Sequence, residues 1–463
     1  MFAAFSEFSL KVKSINYAKL AEIINAEVSE ISNLKFQISN VCIDSRKVTQ
    51  GSAFFAIKGE NHDGHDHLKQ AFENGAACAV CRLGFNSNGI PSDKPILFVD
   101  DTIQALGRLA KYVRRNSSYK VVAITGSAGK TSTKNMVSHV LKSKFKCYSS
   151  PKSFNNNIGV PLTVFDALDD TEILVSELGS NHPGEIEYLT NIIEPDIAIV
   201  TSVFAAHLEG FCSLDVIKGE KSSIAKGLKP GGRLFITDTL FDYCTDKKIK
   251  FEPFCKPQNV KIGGFESSFE IEGVTVQLPL PGRANVENAL AAWTVCKNLG
   301  ISASQFAAAI ATVKPADMRM ECLQIGSAKV LCDCYNANPG SMANALETLS
   351  LISQQEKKRA VFIFGRMGEL GSQSESLHSQ LGNTIAIHKI PVVLTIKGDA
   401  AIAAQTAHNT ADYDISVNVF ENLTQLCDNM YKFVKPDDII LIKASRSERY
   451  EAVVERLKGL FIG

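Results

Sequence analysis

Thr125-Gly126-Ser127-Ala128-Gly129-Lys130-Thr131-Ser132 gathers two glycines, a lysine and several hydroxyls directly after the apolar run Val121 to Ile124. Residues of these types can hold a phosphate chain. The glycines let backbone approach an anion in dihedrals that other residues resist, the lysine carries a point charge for the outer phosphates, and the Thr131 hydroxyl can ligate Mg²⁺. The general P-loop separates its glycines by four residues, whereas two lie between Gly126 and Gly129. Downstream, Glu177 and His207 each follow an apolar run and Lys221 follows on a helix. A carboxylate and an imidazole delivered beside such a cradle are candidate ligands for a divalent cation.

These groups need a scaffold. Val121 to Ile124 suits a strand buried on both faces and Lys134 to Leu141 a helix, so the glycine turn sits at a helix N-terminus, where unpaired N–H groups face an anion. Glu172 to Ser176 and Asp196 to Ser202 read as further strands that deliver Glu177 and His207 at their C-terminal ends, the edge at which open parallel sheets bind ligands. Between them, Asn155-Asn156-Asn157 supplies three amides in a segment that Gly159 and Pro161 keep from being helical.

Ahead of the cradle, a helix Asn16 to Asn25, strands Ala53 to Ile57 and Ala76 to Cys81, and the polar stretches Ser45-Arg46 and Asp63-Gly64-His65 form a small α/β unit. Beyond it, Phe251 to Leu280 alternates short strands and turns before the helix Val286 to Leu299. Strands Lys329 to Asp333, Ala360 to Phe364, Pro391 to Ile396 and Asp438 to Lys443 then alternate with helices, which predicts a doubly wound parallel sheet. Its polar loops, including Tyr335 to Ser341 and Ala444-Ser445-Arg446, all follow strands and so share one edge. The expected class is α/β in three domains: 1–95, small and N-terminal; 96–315, a central P-loop mononucleotide-binding unit with a mainly parallel sheet; and 316–463, Rossmann-like.

The 463 residues carry 49 Lys+Arg and 49 Asp+Glu, which removes any general electrostatic case for nucleic acid or a membrane surface. No apolar run reaches membrane-spanning length, and Met1 to Leu10 lacks the basic region and cleavage pattern of a secretion signal, so a cytoplasmic protein is expected. The twelve cysteines are then reduced thiols. Cys78 and Cys81, near His62, His65 and His67, have zinc-like spacing, but Ala76 to Cys81 reads as a buried strand and no second pair follows. Cys332 and Cys334 read as packing residues.

With these residues in view, the chain resembles the Mur ligases, ATP-dependent enzymes that extend the peptide of the bacterial cell-wall precursor. Thr125-Gly126-x-x-Gly129-Lys130-Thr131 is similar to the family's shortened phosphate loop. Within the family, Asn155 to Pro161, Glu177 to Ile186, His207 to Phe211 and above all Asp333-x-Tyr335-Asn336-Ala337-Asn338-Pro339-x-Ser341-Met342 resemble members that join D-alanyl-D-alanine to UDP-N-acetylmuramoyl-tripeptide. The match spans nearly the whole chain.

The resemblance implies ATP on Thr125, Gly126, Ser127, Ala128, Gly129, Lys130, Thr131 and Ser132, with Asn285, Asn288, an interdomain Arg319 and a ribose contact at Asp333. It implies Mg²⁺ on Thr131, Glu177, His207 and Lys221, the last as a carbamylated lysine, and gives Lys130, Glu177, His207 and Lys221 the catalytic roles. Substrate contacts fall to Asn155, Asn156, Asn157, Asn336, Ser341, Lys443, Ser445 and Arg446, with Ser45, Arg46, Asp63, Gly64 and His65 at the uridine end. The chain departs from the family at Ala284, where relatives carry an aromatic or His, and at Thr237-Asp238-Thr239, where they carry Asn-x-Asp. A monomer is expected. The alternatives are another ligase of the superfamily, adding diaminopimelate or lysine or extending folate, or a regulatory module whose nucleotide only switches conformation.

Overall fold

The computed structural model describes residues 15–28, 37–91, 94–167, 169–263 and 265–461, so the opening stretch Met1 to Leu10 lies outside the described residues. Three α/β layers follow one another along the chain. The first is a five-stranded sheet in the order Glu27–Val28, Ile96–Val99, Ala76–Arg82, Ser52–Phe55, Asn40–Cys42, parallel except at the Glu27–Val28 edge. Ile96–Val99 pairs with Ala76–Arg82, so it completes this sheet, and the expected seam at 95/96 moves to the far side of that strand. Cys78 and Cys81 are buried on Ala76–Arg82.

The helix Thr102–Arg115, capped by Asp101 through the amides of Ile103 and Gln104, carries the chain to the second layer. Its fully buried Arg114 fixes the junction by donating to the carbonyls of Ile193, Tyr119 and Glu194 and to Asp196 Oδ2. The second sheet has six strands, all parallel, in the order Glu252–Pro253, Arg233–Ile236, Ile197–Val200, Lys120–Thr125, Ile173–Glu177, Cys147–Ser149. Val121 to Ile124 lies in the middle and is fully buried, as a run of β-formers with helices on both faces must be. A three-stranded antiparallel sheet, Gln258–Ile262, Ser267–Ile271 and Val274–Leu278, packs with the helix Arg283–Asn298 over one face, around Trp293.

The third sheet has six strands in the order Glu321–Ile325, Ala328–Cys332, Ile439–Lys443, Ala360–Phe364, Val392–Ile396, Ser416–Phe420. Four of its five pairings are parallel, and Glu321–Ile325 is an antiparallel edge. Neither edge strand carries a continuous apolar run. An edge strand is half-solvated, so its alternating polar residues read as loop.

Candidate active site

The cradle is built at the C-terminal end of Lys120–Thr125. Gly126 has φ +148°, and a Cβ there would lie 2.2 Å from Thr201 Oγ1. Gly129, with φ +79°, caps the helix Lys130–Leu141, and a Cβ there would lie 2.2 Å from Asn288 Oδ1. Both positions therefore demand glycine by dihedral and by space, which accounts for their spacing. The helix starts at Lys130, four residues before the sequence pattern placed it, so the free N–H groups of its first turn face the cradle.

Lys130 Nζ folds back to donate to Gly126 O at 2.6 Å, and burial lowers its pKa. Thr131 Oγ1 donates to Glu177 Oε2 at 2.7 Å, while Asn155 Nδ2 donates to Glu177 Oε1 at 2.8 Å. Glu177, the last residue of Ile173–Glu177, is thus aimed by a hydroxyl from one side and an amide from the other, with only 1% of its surface exposed. Asn156 Oδ1 accepts from the Ile158 and Gly159 amides and so shapes the turn that presents its neighbours. Contrary to the expectation from the sequence, Gly159 and Pro161 do not prevent a helix but lie in the first turn of one, Gly159–Asp166, where proline's missing N–H costs no helical bond. Lys221 is buried, donates to Ser180 Oγ at 2.7 Å and lies over the Phe211 ring; burial, then the charge of Lys130, pushes its pKa down to about 7.

The third sheet supplies the opposite wall. Arg319 stacks its guanidinium 4.0 Å from the centre of the Tyr335 ring, and Tyr335 Oη donates to Ser153 Oγ of the second layer at 2.7 Å. Asp333 accepts from buried Lys443 Nζ at 2.5 Å and from the Met320 amide at 3.1 Å. Lys443 also donates to Asn336 O, so it serves first to hold this loop together. Ser341 and Asn338 form a reciprocal capping box at the start of the helix Pro339–Glu356. Ser445 Oγ accepts from the Gly368 amide, and Arg446 donates to Glu451 Oε1. His207, in the left-handed region at φ +53°, sets Nδ1 against the Glu369 carboxylate, with the oxygen off the ring's N–H direction. That contact holds the Glu369 carboxyl below its ordinary pKa.

The two walls enclose a cleft of about 600 Å³. Lining it from the second layer are Ser127, Ala128, Gly129, Lys130, Ser132, Asn155, Asn156, Asn157, Glu177, His207, Asn285 and Asn288. Arg319, Asp333, Asn336, Ser341, Lys443, Ser445 and Arg446 line it from the third. Thr125, Gly126, Thr131 and Lys221 lie beneath this surface rather than on it. Thr125 Oγ1 is used between strands, donating to Leu178 O, and Asn285 Nδ2 donates to Pro281 O.

Ser45, Arg46, Asp63, Gly64 and His65 do not line the cleft; they form a separate group on the first sheet. Ser45 Oγ donates to Gln70 Oε1, and Arg46 forks onto Asp44. His65 Nε2 accepts from the Arg82 amide, which leaves the Nδ1 proton to bond Asp63 at 2.6 Å. Gly64 passes so close to Ile57 that a Cβ would lie 2.7 Å from its backbone nitrogen.

Residues 124–296 match the Mur ligase middle domain, 318–446 the Mur ligase glutamate ligase domain and 37–114 the Mur ligase family catalytic domain. The chain belongs to the Mur ligase family. UDP-N-acetylmuramoyl-tripeptide--D-alanyl-D-alanine ligase of Escherichia coli (strain K12) is 32% identical over 96% of this chain and 98% of its own. The crystal structure of MurF from Acinetobacter baumannii superposes with a TM-score of 0.87 at 26% identity, over 97% of this chain and 99% of that one. MurF from Thermotoga maritima in complex with ADP gives 0.80 at 25%, over 91% and 97%.

Several residues that shape this Mur ligase cleft were missed in the sequence. Lys134, one turn after Lys130, is buried and donates to the carbonyls of Ser150 and Lys152, anchoring the segment that leads to Asn155. His378, fully buried, accepts the Met367 amide through Nε2 and fixes the loop bearing Glu369. Lys134 reads as a surface lysine among KTSTK hydroxyls, and a lone His carries no signal. The Tyr335–Ser153 pair joins residues far apart in the chain, and only the fold brings them together.

Proposed function

We propose that this Mur ligase joins D-alanyl-D-alanine to UDP-N-acetylmuramoyl-tripeptide with consumption of ATP. The observation that carries the reading is the single cleft in which a phosphate cradle faces the Asp333 to Ser341 stretch of another layer. The similarity over nearly the full length of enzymes named for that reaction, and a relative crystallised with ADP, support the same substrates.

A carboxylate is a poor electrophile towards an amine. In the proposed sequence the tripeptide's terminal carboxylate attacks the γ-phosphorus, the bond to ADP breaks, and an acyl phosphate forms. The dipeptide amine then attacks the acyl carbon, loses a proton and expels phosphate. Lys130 and the first-turn amides of Lys130–Leu141 carry the phosphate charge, Arg319 faces it from the opposite wall, and closure of the walls keeps water from the acyl phosphate. Asn155 and Thr131 hold Glu177 in position.

The donors suit Mg²⁺. The Thr131 hydroxyl and Glu177 carboxylate are hard oxygen groups that hold each other, and Glu177 retains lone pairs beyond the two in use. Among the described residues no three His, Cys, Asp or Glu cluster as a metal cage, so phosphate oxygens and water would complete the shell. When bound, Mg²⁺ would supply Lewis-acid stabilisation of the phosphoryl charge. Lys221, with a pKa of about 7, has enough free amine at neutral pH to take up CO₂ and become an anionic oxygen donor. Labelled bicarbonate followed by carbon NMR tests that step.

Ser45, Arg46 and the Asp63 to His65 turn are assigned to the uridine end. The enzyme is assigned to the cytoplasm as a monomer; among the described residues no helix is long and apolar enough to cross a membrane. The test of substrate identity is a ligase assay with UDP-tripeptide and D-alanyl-D-alanine, alongside UDP-dipeptide with lysine, diaminopimelate or glutamate. Product only with the first pair is expected; product with any of the others contradicts the assignment.

A further inference from the structure

The segment between the strand Ile197–Val200 and the helix Leu214–Ser222 touches both walls of the cleft in sequence. At its start it grips the cradle. Thr201 Oγ1 and Ser202 Oγ donate to Ala128 O at 2.6 and 3.0 Å, and the Ser127 amide donates to Ser202 O at 2.8 Å. Ser127 Oγ donates to Phe204 O, and the Phe204 amide bonds back to Ser127 Oγ, both at 3.0 Å.

In its middle, the Phe204 ring packs on Gly340, in the first turn of the helix Pro339–Glu356, so closely that a Cβ on Gly340 would fall 2.5 Å from the ring. At its end, His207 meets the Glu369 carboxylate, and the Glu209 amide donates to Glu369 O at 3.1 Å. Both residues of the imidazole–carboxylate contact sit in the left-handed region, His207 at φ +53° and Glu369 at +61°. Glu369 is held there by its neighbours: the Gly368 amide on Ser445 Oγ and the Met367 amide on His378 Nε2. Partners on both sides of the contact thus fix its backbone in a sparsely populated region.

We propose that Thr201 to Glu209 is a strut that couples occupation of the phosphate cradle to the seating of the C-terminal unit, with Phe204 as its positioning residue. A phosphate chain in the cradle bears on Ser127 and Ala128, and every hydrogen bond these two make to the strut is made to the stretch that ends in the Phe204 ring. The ring in turn sets where the helix Pro339–Glu356 can rest. Arg319, Asp333 and the helix's own Ser341 are carried by that unit, so the strut determines whether they face the nucleotide. The inference rests on the reading that ATP occupies the cradle, and its test separates the two.

Full-length wild type, Phe204→Ala and Gly340→Ala are compared by small-angle X-ray scattering and by calorimetric titration with a non-hydrolysable ATP analogue and Mg²⁺. Wild type is expected to bind and become more compact. Both variants are expected to bind about fivefold or more weakly, the share of affinity that closure returns by reciprocity, and to show no compaction. Gly340→Ala removes no hydrogen-bonding group of the cradle and lies on the opposite wall, so agreement between the two variants traces the effect to the Phe204–Gly340 contact. Compaction of either variant as in wild type, or a wild type whose compactness ignores the nucleotide, overturns the strut while leaving the ATP reading intact. A wild type that takes no nucleotide removes that reading and the strut with it.

Discussion

Lys130 and Lys134 lie one turn apart on the same helix, Lys134 buried and Lys130 half-buried on the cleft wall, and replacing each with methionine should separate chemistry from stability. Lys134 Nζ donates to Ser150 O at 2.7 Å and Lys152 O at 2.6 Å. Hydrogen bonds to a charged group contribute about 1.5–3 kcal/mol each, and removing the donor strands two carbonyls. Burial lowers the Lys134 pKa, so losing the ammonium returns part of that sum. The net expectation for Lys134→Met is a loss of about 2–4 kcal/mol. Lys130 makes one bond, to its own loop at Gly126 O, and its charge is likewise disfavoured by burial. Lys130→Met should therefore stay within about 1 kcal/mol of wild type, or exceed it, while turnover falls by about a hundredfold or more. Trp293 is the only tryptophan and is packed against Phe306 within the central unit, so urea titration followed by its fluorescence reads that unit directly. A Lys134→Met midpoint equal to wild type, or a Lys130→Met midpoint as low as that expected for Lys134→Met, would refute the division of roles.

Gly126→Ala puts a methyl 2.2 Å from Thr201 Oγ1 at φ +148°, so it should lower stability by about 1–3 kcal/mol and weaken nucleotide binding, both measurable by thermal shift with and without ATP analogue. His378 is buried and neutral, with its pKa held by burial below the ordinary 6.5. Its contribution is complete above about pH 6.5 and is lost as pH falls from there through the folded-state value, because the unfolded chain takes up the proton first. Melting temperatures of wild type and His378→Gln between pH 8 and 5 should converge towards the acid end; parallel curves contradict the assignment. Lys443→Met leaves the Asp333 carboxylate without its buried partner and should cost about 3 kcal/mol, read as a shifted thermal midpoint.

The parts of the site legible in the sequence were those written in contiguous residues. Gly126 to Thr131 declares itself because dihedral, space and charge requirements fall within six positions, and Glu177 and His207 were placed by the apolar runs that precede them. The antiparallel edge Glu321–Ile325 and the strand Ser416–Phe420 escaped because edge strands lack a continuous apolar signature. Ile96–Val99 joins the first sheet by pairing with Ala76–Arg82, a tertiary fact that no local pattern states. Lys134, His378 and the Phe204–Gly340 contact escaped for a related reason: their partners lie 11 to 136 positions away. The departure at Ala284 does fall on the cleft wall, near Asn288.

The central claim is that ATP activates the tripeptide carboxylate before the dipeptide amine attacks. Positional isotope exchange tests it most directly, using ATP labelled in the β–γ bridging oxygen. The account predicts that, without D-alanyl-D-alanine, the label moves to a non-bridging β position only when UDP-N-acetylmuramoyl-tripeptide is present. Label that stays in the bridge under those conditions, in an enzyme that completes ligation once dipeptide is added, would contradict it.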